Sequence, residues 1–226
     1  IGINGMRQTG NVQVGIIRSR AELVTKLSKA FTFKTQNNSL YQEFNSRKAD
    51  QDINSRNYLY LNPHKLFYPF AILYMQTNFR RKIDTRYFSG AGITCQVLVH
   101  KLHQLKLSGS LVYERTNFSK QVYNEQFYSG SETISLWRGT LYVTGLHQLA
   151  GQKVYLHYSA YWQPGIDEVP NHRVQAEFGL NVAAGKTFSF SLQYLFGYEQ
   201  VVPLTILQQD DMITVGISYQ LQPKTR

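Results

Sequence analysis

Asn62-Pro63-His64-Lys65 leads into Leu66-Phe-Tyr-Pro-Phe-Ala-Ile-Leu-Tyr-Met-Gln-Thr-Asn-Phe79, then Arg80-Arg-Lys-Ile-Asp84, then Thr85-Arg-Tyr-Phe-Ser-Gly-Ala-Gly92. The stretch holds a short turn, a long apolar strand, a charged loop at the far end, and a returning strand that thins to glycine. Period-two alternation between turn residues is the signature of a strand, and reading outward in both directions the same unit recurs. The predicted strands are 1–8, 12–27, 30–44, 53–61, 67–79, 85–99, 104–116, 133–149, 153–163, 172–183, 186–199 and 212–221, twelve in all.

The connections alternate in length. One set is tight, at 28–29, 62–65, 100–103, 150–152 and 184–185; the other is mostly longer and more polar, at 9–11, 45–52, 80–84, 117–132, 164–171 and 200–211. Short turns at one end, longer loops at the other and an even strand number describe an up-and-down outer-membrane barrel. Alternation within the strands fits this. Phe188, Phe190, Leu192, Tyr194, Phe196 and Tyr198 share one face, and Ser189, Ser191, Gln193 and Glu199 share the other. A membrane barrel turns the apolar face to lipid, whereas a soluble sandwich turns it inward, so alternation alone does not choose between them. Aromatic residues near both strand ends favour the membrane: Phe31, Phe67, Tyr68, Phe188 and Tyr219 by the turns, and Tyr41, Phe79, Tyr87, Tyr113, Trp162 and Tyr198 by the loops.

Composition agrees. Sixteen Tyr and 13 Phe in 226 residues suit strands, and a single cysteine, Cys95, excludes an internal disulfide. No run of eighteen apolar residues is present, so no transmembrane helix is predicted. The chain begins at Ile1 without a signal peptide, which reads as a trimmed product. The net charge of +10 is scattered, with no helix-turn-helix, zinc or RNA-recognition pattern, so nucleic acid is not expected as a partner.

Asn62-Pro63, Phe67-Tyr-Pro-Phe-Ala71, Thr77-Asn-Phe-Arg-Arg-Lys-Ile-Asp84, Arg86-Tyr87 and Gly90-x-Gly92, with Tyr113-Glu114-x-Thr116-Asn-Phe118 further on, carry a resemblance. In these motifs the chain resembles domain-of-unknown-function family 481, which includes salt-inducible outer-membrane proteins, and it is most similar to the Bacteroidetes-type branch. Thr94-Cys95 stands where that pattern would have Gly-Tyr. The resemblance implies an outer-membrane barrel of a Gram-negative bacterium and supplies no catalytic residue.

Few residues point to chemistry. His157 and Ser159 lie two apart on one face, where a base can meet a hydroxyl; the bland reading is a hydrogen-bonded lumen wall together with Lys106, Arg173 and Glu177. His100 and His103 lack a third ligand nearby in sequence, so no metal and no cofactor are expected. Asp167-Glu168 and Asp210-Asp211 read as solvated loop acids. Arg80, Arg81, Lys82 and Arg86 are candidate contacts to lipopolysaccharide phosphates, while most lysines cluster by the turns, Lys186 and Lys224 among them.

The sequence therefore predicts one domain over 1–226, an all-β transmembrane antiparallel up-and-down barrel of about twelve strands in the outer membrane. Loops are expected outside, and termini in the periplasm. The expected function is a non-catalytic structural or accessory barrel of an envelope complex, in contact with outer-membrane lipid, lipopolysaccharide and other envelope proteins. The alternative is a narrow channel for ions or small solutes, and a His157/Ser159 hydrolase comes last.

Overall fold

A computed structural model describes residues 1–10, 13–167, 169–185 and 187–219. Twelve strands run in chain order: β1 Gly2–Gln8, β2 Val14–Lys26, β3 Phe31–Phe44, β4 Arg47–Leu61, β5 Phe67–Asn78, β6 Ile83–Val99, β7 His103–Phe118, β8 Thr133–Leu149, β9 Val154–Pro164, β10 His172–Ala184, β11 Phe188–Glu199 and β12 Gln209–Tyr219. Each pairs antiparallel with its neighbours in sequence, giving one up-and-down sheet from β1 to β12. The sheet curls: Arg86 of β6 reaches Glu199 of β11, and Arg81 before β6 reaches Asp210 of β12. The predicted Val12, Lys186 and 220–221 strand ends lie outside the described residues, as do Glu168 and the 222–226 tail.

The long connection expected at 45–52 is a two-residue turn. Asn45 and Ser46 take φ of 47° and 59°, the pair of left-handed positions that a tight hairpin requires, and Phe44 pairs with Arg47. The polar run 47–52 looks like a loop because Asp50 and Asp52 belong to the inward face, which in this protein is the polar one. A register shift at Gln42/Glu43 absorbs the mismatch. Strand β6 likewise starts two residues early at Ile83, and β12 three early at Gln209.

Facing settles the ambiguity left by alternation. Along β6 to β8 the outward residues Ile93, Leu107, Leu111, Trp137 and Leu141 are 48–60% exposed, and on β12 Ile213, Val215 and Ile217 reach 68–73%. The inward positions of the same strands bury Arg86, Glu114 and Arg138 to 1–3% exposure. Charge inside and hydrocarbon outside is the reverse of a soluble sandwich, and a continuous apolar wall of this kind needs lipid around it. Tyr68, counted in the turn-side aromatic belt, is instead turned inward against Tyr60 (centroids 5.8 Å apart), because it shares parity with Phe70 and Tyr74.

Glycine shapes the wall at β6. A Cβ on Gly90 would collide with the Leu111 carbonyl and the Val112 backbone, so that position accepts no side chain without moving the neighbouring strand. At Gly179 the obstacle is instead the His157 ring, which fills the notch that glycine leaves.

Candidate functional site

The lumen is built by parity. Every second residue of β4 to β11 points inward, and at the loop half these residues form a charge cluster around Glu114. Arg173 Nη2 donates to Glu114 Oε2, and Arg138 Nε lies 3.2 Å from the same oxygen. Arg86 forks onto Glu199 with two bonds of 2.8 Å and donates Nε to Thr116 Oγ1 at 3.0 Å. Arg138 also donates to the Asn171 carbonyl (2.6 Å) and side chain (2.9 Å). Arg81 joins from the β5–β6 connection, donating to Asp210 Oδ2 at 2.5 Å and lying 3.6 Å from Glu199. Four guanidiniums thus share three carboxylates, which leaves the cluster cationic. All four guanidiniums and both glutamates make two or more contacts each, so the cluster acts as a strut across the barrel.

Above the strut the connections 119–132 and 200–208 fold together with 165–167 and 169–171. Ile83, Phe118, Tyr123, Tyr128, Ile134, Leu136 and Val201 form a buried apolar cluster with Val169 packed against it. Asn124 ties the loops by donating its N–H to the Val202 carbonyl (3.0 Å) and accepting the Val202 N–H on its side chain (2.9 Å). Tyr123 donates to the Ser131 carbonyl at 2.9 Å, and burial pushes its phenol up to about 12. This cap covers one side of the loop end.

Below it, the half of the lumen bounded by β5 to β9 is packed with Phe70, Tyr74, Phe88, Tyr142 and Tyr161, enclosing a cavity of only about 80 Å³. The other half is open. A central chamber of about 810 Å³ is bounded by β1 to β4, with Glu177 across from them. A vestibule of about 410 Å³ opens toward the loops and shares Asp52, Asn54 and Arg56 with the chamber. A vestibule of about 430 Å³ lies toward the turns, carries Lys34 and Lys106, and shares Gln36.

The residues singled out from sequence separate. Arg173 belongs to the strut and Lys106 to the turn-side vestibule. His157 Nε2 lies 3.7 Å from Glu177 Oε1, which takes the Gln193 amide at 3.0 Å; among the described residues no hydrogen bond joins His157 to Ser159. Of the four cations assigned to lipopolysaccharide, Arg81 and Arg86 are turned inward onto carboxylates. This follows for Arg86 from its parity with Phe88 and Gly90. Arg80 stays 68% exposed while holding Asp50 at 2.8 Å, and Lys82 lies over the Phe79 ring at 4.6 Å. Only these two remain available to an outside ligand. His103 Nδ1 meets His147 Nδ1 at 3.3 Å with His100 stacked beside it, yet among the described residues no group of three metal-type side chains gathers. Arg56, Glu114 and Arg138 are not assigned to the lumen from sequence, although strand parity alone places them there beside Glu199, which the alternation already puts on the polar face.

By fold this is a twelve-stranded up-and-down β-barrel. It superposes on the solved structure of the NanC porin with a TM-score of 0.50, covering 96% of this chain and 97% of that one at 10% identity, a likeness of architecture. No curated protein matches the sequence. The profile described as "Protein of unknown function, DUF481" matches residues 2–221, and the chain belongs to that family.

Proposed function

We propose that the protein is a narrow channel for ions or small solutes in the outer membrane of a Gram-negative bacterium, loops outward and termini in the periplasm. The observation that carries this reading is the open half of the lumen: two vestibules at opposite ends share wall residues with one central chamber. Charged side chains line that route, as conduction of hydrated ions requires. Its architectural similarity to a porin supports the same reading. The exposed Arg80 and the half-buried Lys82 are suited to phosphates of surrounding lipopolysaccharide by charge-assisted hydrogen bonds. No step of catalysis is part of the reading. Single-channel recording in planar bilayers tests it: discrete conductance steps are expected from the purified, folded protein.

A second reading is favoured by the loop cap and the aromatic packing between β5 and β9, which fill half the barrel. On it the protein is a non-conducting structural or accessory barrel of an envelope complex. A silent bilayer together with co-purifying envelope proteins would favour this second reading over the channel.

A further inference from the structure

Arg56 differs from the other half-buried and buried guanidiniums of the lumen. Arg81, Arg86, Arg138 and Arg173 each face a carboxylate. Arg56, half-buried on the inward face of β4, pairs with no carboxylate among the described residues and lies instead over the Tyr74 ring, 5.7 Å from its centroid. That platform is fixed. Tyr74 stacks on Phe88 at 4.4 Å, accepts the Asn54 amide at 2.8 Å and donates to Gln76 at 3.0 Å. The guanidinium is therefore oriented without being neutralised.

Its position is the second observation. Arg56 lines the packed cavity, the central chamber and the loop-side vestibule, so it stands where the chamber and the vestibule meet. The carboxylates around it are engaged or distant. Glu22 binds Lys34 at 3.1 Å, and Glu177 takes the Gln193 amide and faces His157. Asp52 lies four residues along the same strand, with its Cα roughly 13 Å away at the rise of an extended chain, and it accepts the Asn78 amide at 3.4 Å. Arg18, exposed into the same chamber, adds to the positive field.

We propose that Arg56 is the anion-binding residue of the lumen, taking the carboxylate or phosphate oxygens of a small solute as it passes between the central chamber and the loop-side vestibule. A guanidinium presents a planar fork that matches these oxyanions, and a single such fork beside a wet chamber holds them without trapping them. The proposal rests on the channel reading for its physiological meaning, while the binding site itself does not depend on conduction.

The test records reversal potentials across bilayers under a KCl gradient for the wild type, Arg56→Gln and Arg56→Lys. Each variant is first checked for heat-modifiable migration, so that misfolding is recognised. The wild type is expected to favour chloride, Arg56→Gln to lose most of that preference, and Arg56→Lys to keep it. Inorganic phosphate and acetate, added separately, are expected to reduce the chloride current in the wild type and not in Arg56→Gln; the stronger blocker identifies the oxyanion class. An unchanged reversal potential and unchanged block in Arg56→Gln would overturn the proposal while leaving the channel intact. If the wild type does not conduct, calorimetric titration of the detergent-solubilised barrel with phosphate and acetate decides. Binding lost in Arg56→Gln upholds the site without the channel, and no binding removes both.

Discussion

Glu114 shows how much one inward residue carries. Fully buried between Arg138 and Arg173, with Arg86 3.8 Å away, it is the shared counter-charge of three guanidiniums. Removing one partner of a buried charge cluster leaves the others uncompensated, at a cost of about 3–5 kcal/mol. Glu114→Ala is therefore expected to lower the unfolding free energy in lipid vesicles by that amount in urea titration. Arg20→Ala, which breaks an exposed pair of 3.7 Å with Glu22, is expected to change it by under about 1 kcal/mol. The glycines give a second contrast. A methyl on Gly90 meets backbone, whereas on Gly179 it meets a ring that can rotate away. Gly90→Ala should cost about 1–3 kcal/mol and Gly179→Ala distinctly less in the same titration; equal losses would mean that the β6–β7 spacing is looser than described. At this scale the sequence was legible wherever strand parity was applied. Parity puts Arg173 and Glu177 on the inward face, where they lie, whereas the outward expectation for Arg81 and Arg86 follows their charge and not their parity. Arg81 lies in a connection, where parity gives no guide and only the contact with Asp210 reveals its direction.

Among the elements, the strands were legible and the loops were not. Period-two alternation recovered twelve strands, and 133–149 matched β8 at both ends. Alternation failed at 45–52, where inward polar residues imitate a loop. Nothing in 117–132 announces that it packs on 200–208, since the contact joins segments far apart in sequence. That pairing has a consequence. Tyr123 lies 3% exposed in the cap and bridges to Pro203, so Tyr123→Ala is expected to release both loops together, with faster amide exchange across 119–132 and 200–208 and unchanged exchange in β9 and β10. Release of one loop alone would contradict a common cap. The Tyr123 phenol adds a pH dependence. Raised from 10.0 to about 12 by burial, it stabilises the cap fully below pH 10, and that contribution is lost as pH rises toward 12. Loop exchange should accelerate in that window, and in Tyr123→Phe, which cannot ionise, it should not.

For the whole molecule, the decisive property is that the barrel is inside-out: buried ion pairs brace its interior and large apolar side chains cover its wall. Alternation alone leaves the direction open, because an apolar face can meet lipid or a soluble core; the aromatic residues at both strand ends and the unequal connections are what point it to lipid. A charge placed on the wall should be costly. Leu141→Arg, at a position 60% exposed on the outer face, is expected to lose about 2–4 kcal/mol if it lies near the bilayer midplane, and Asn38→Arg, which lines the open chamber, much less. The most direct measurement is lipid quenching of single labels. With Cys95 replaced by serine, a fluorophore on Cys introduced at Leu141, and in a second protein at Asn38, is read in vesicles with and without brominated acyl chains. Strong quenching at 141 and little at 38 is the predicted result. The opposite pattern, or folded protein that leaves the vesicles and is soluble without detergent, would contradict the membrane barrel and put the apolar face back inside a soluble sheet.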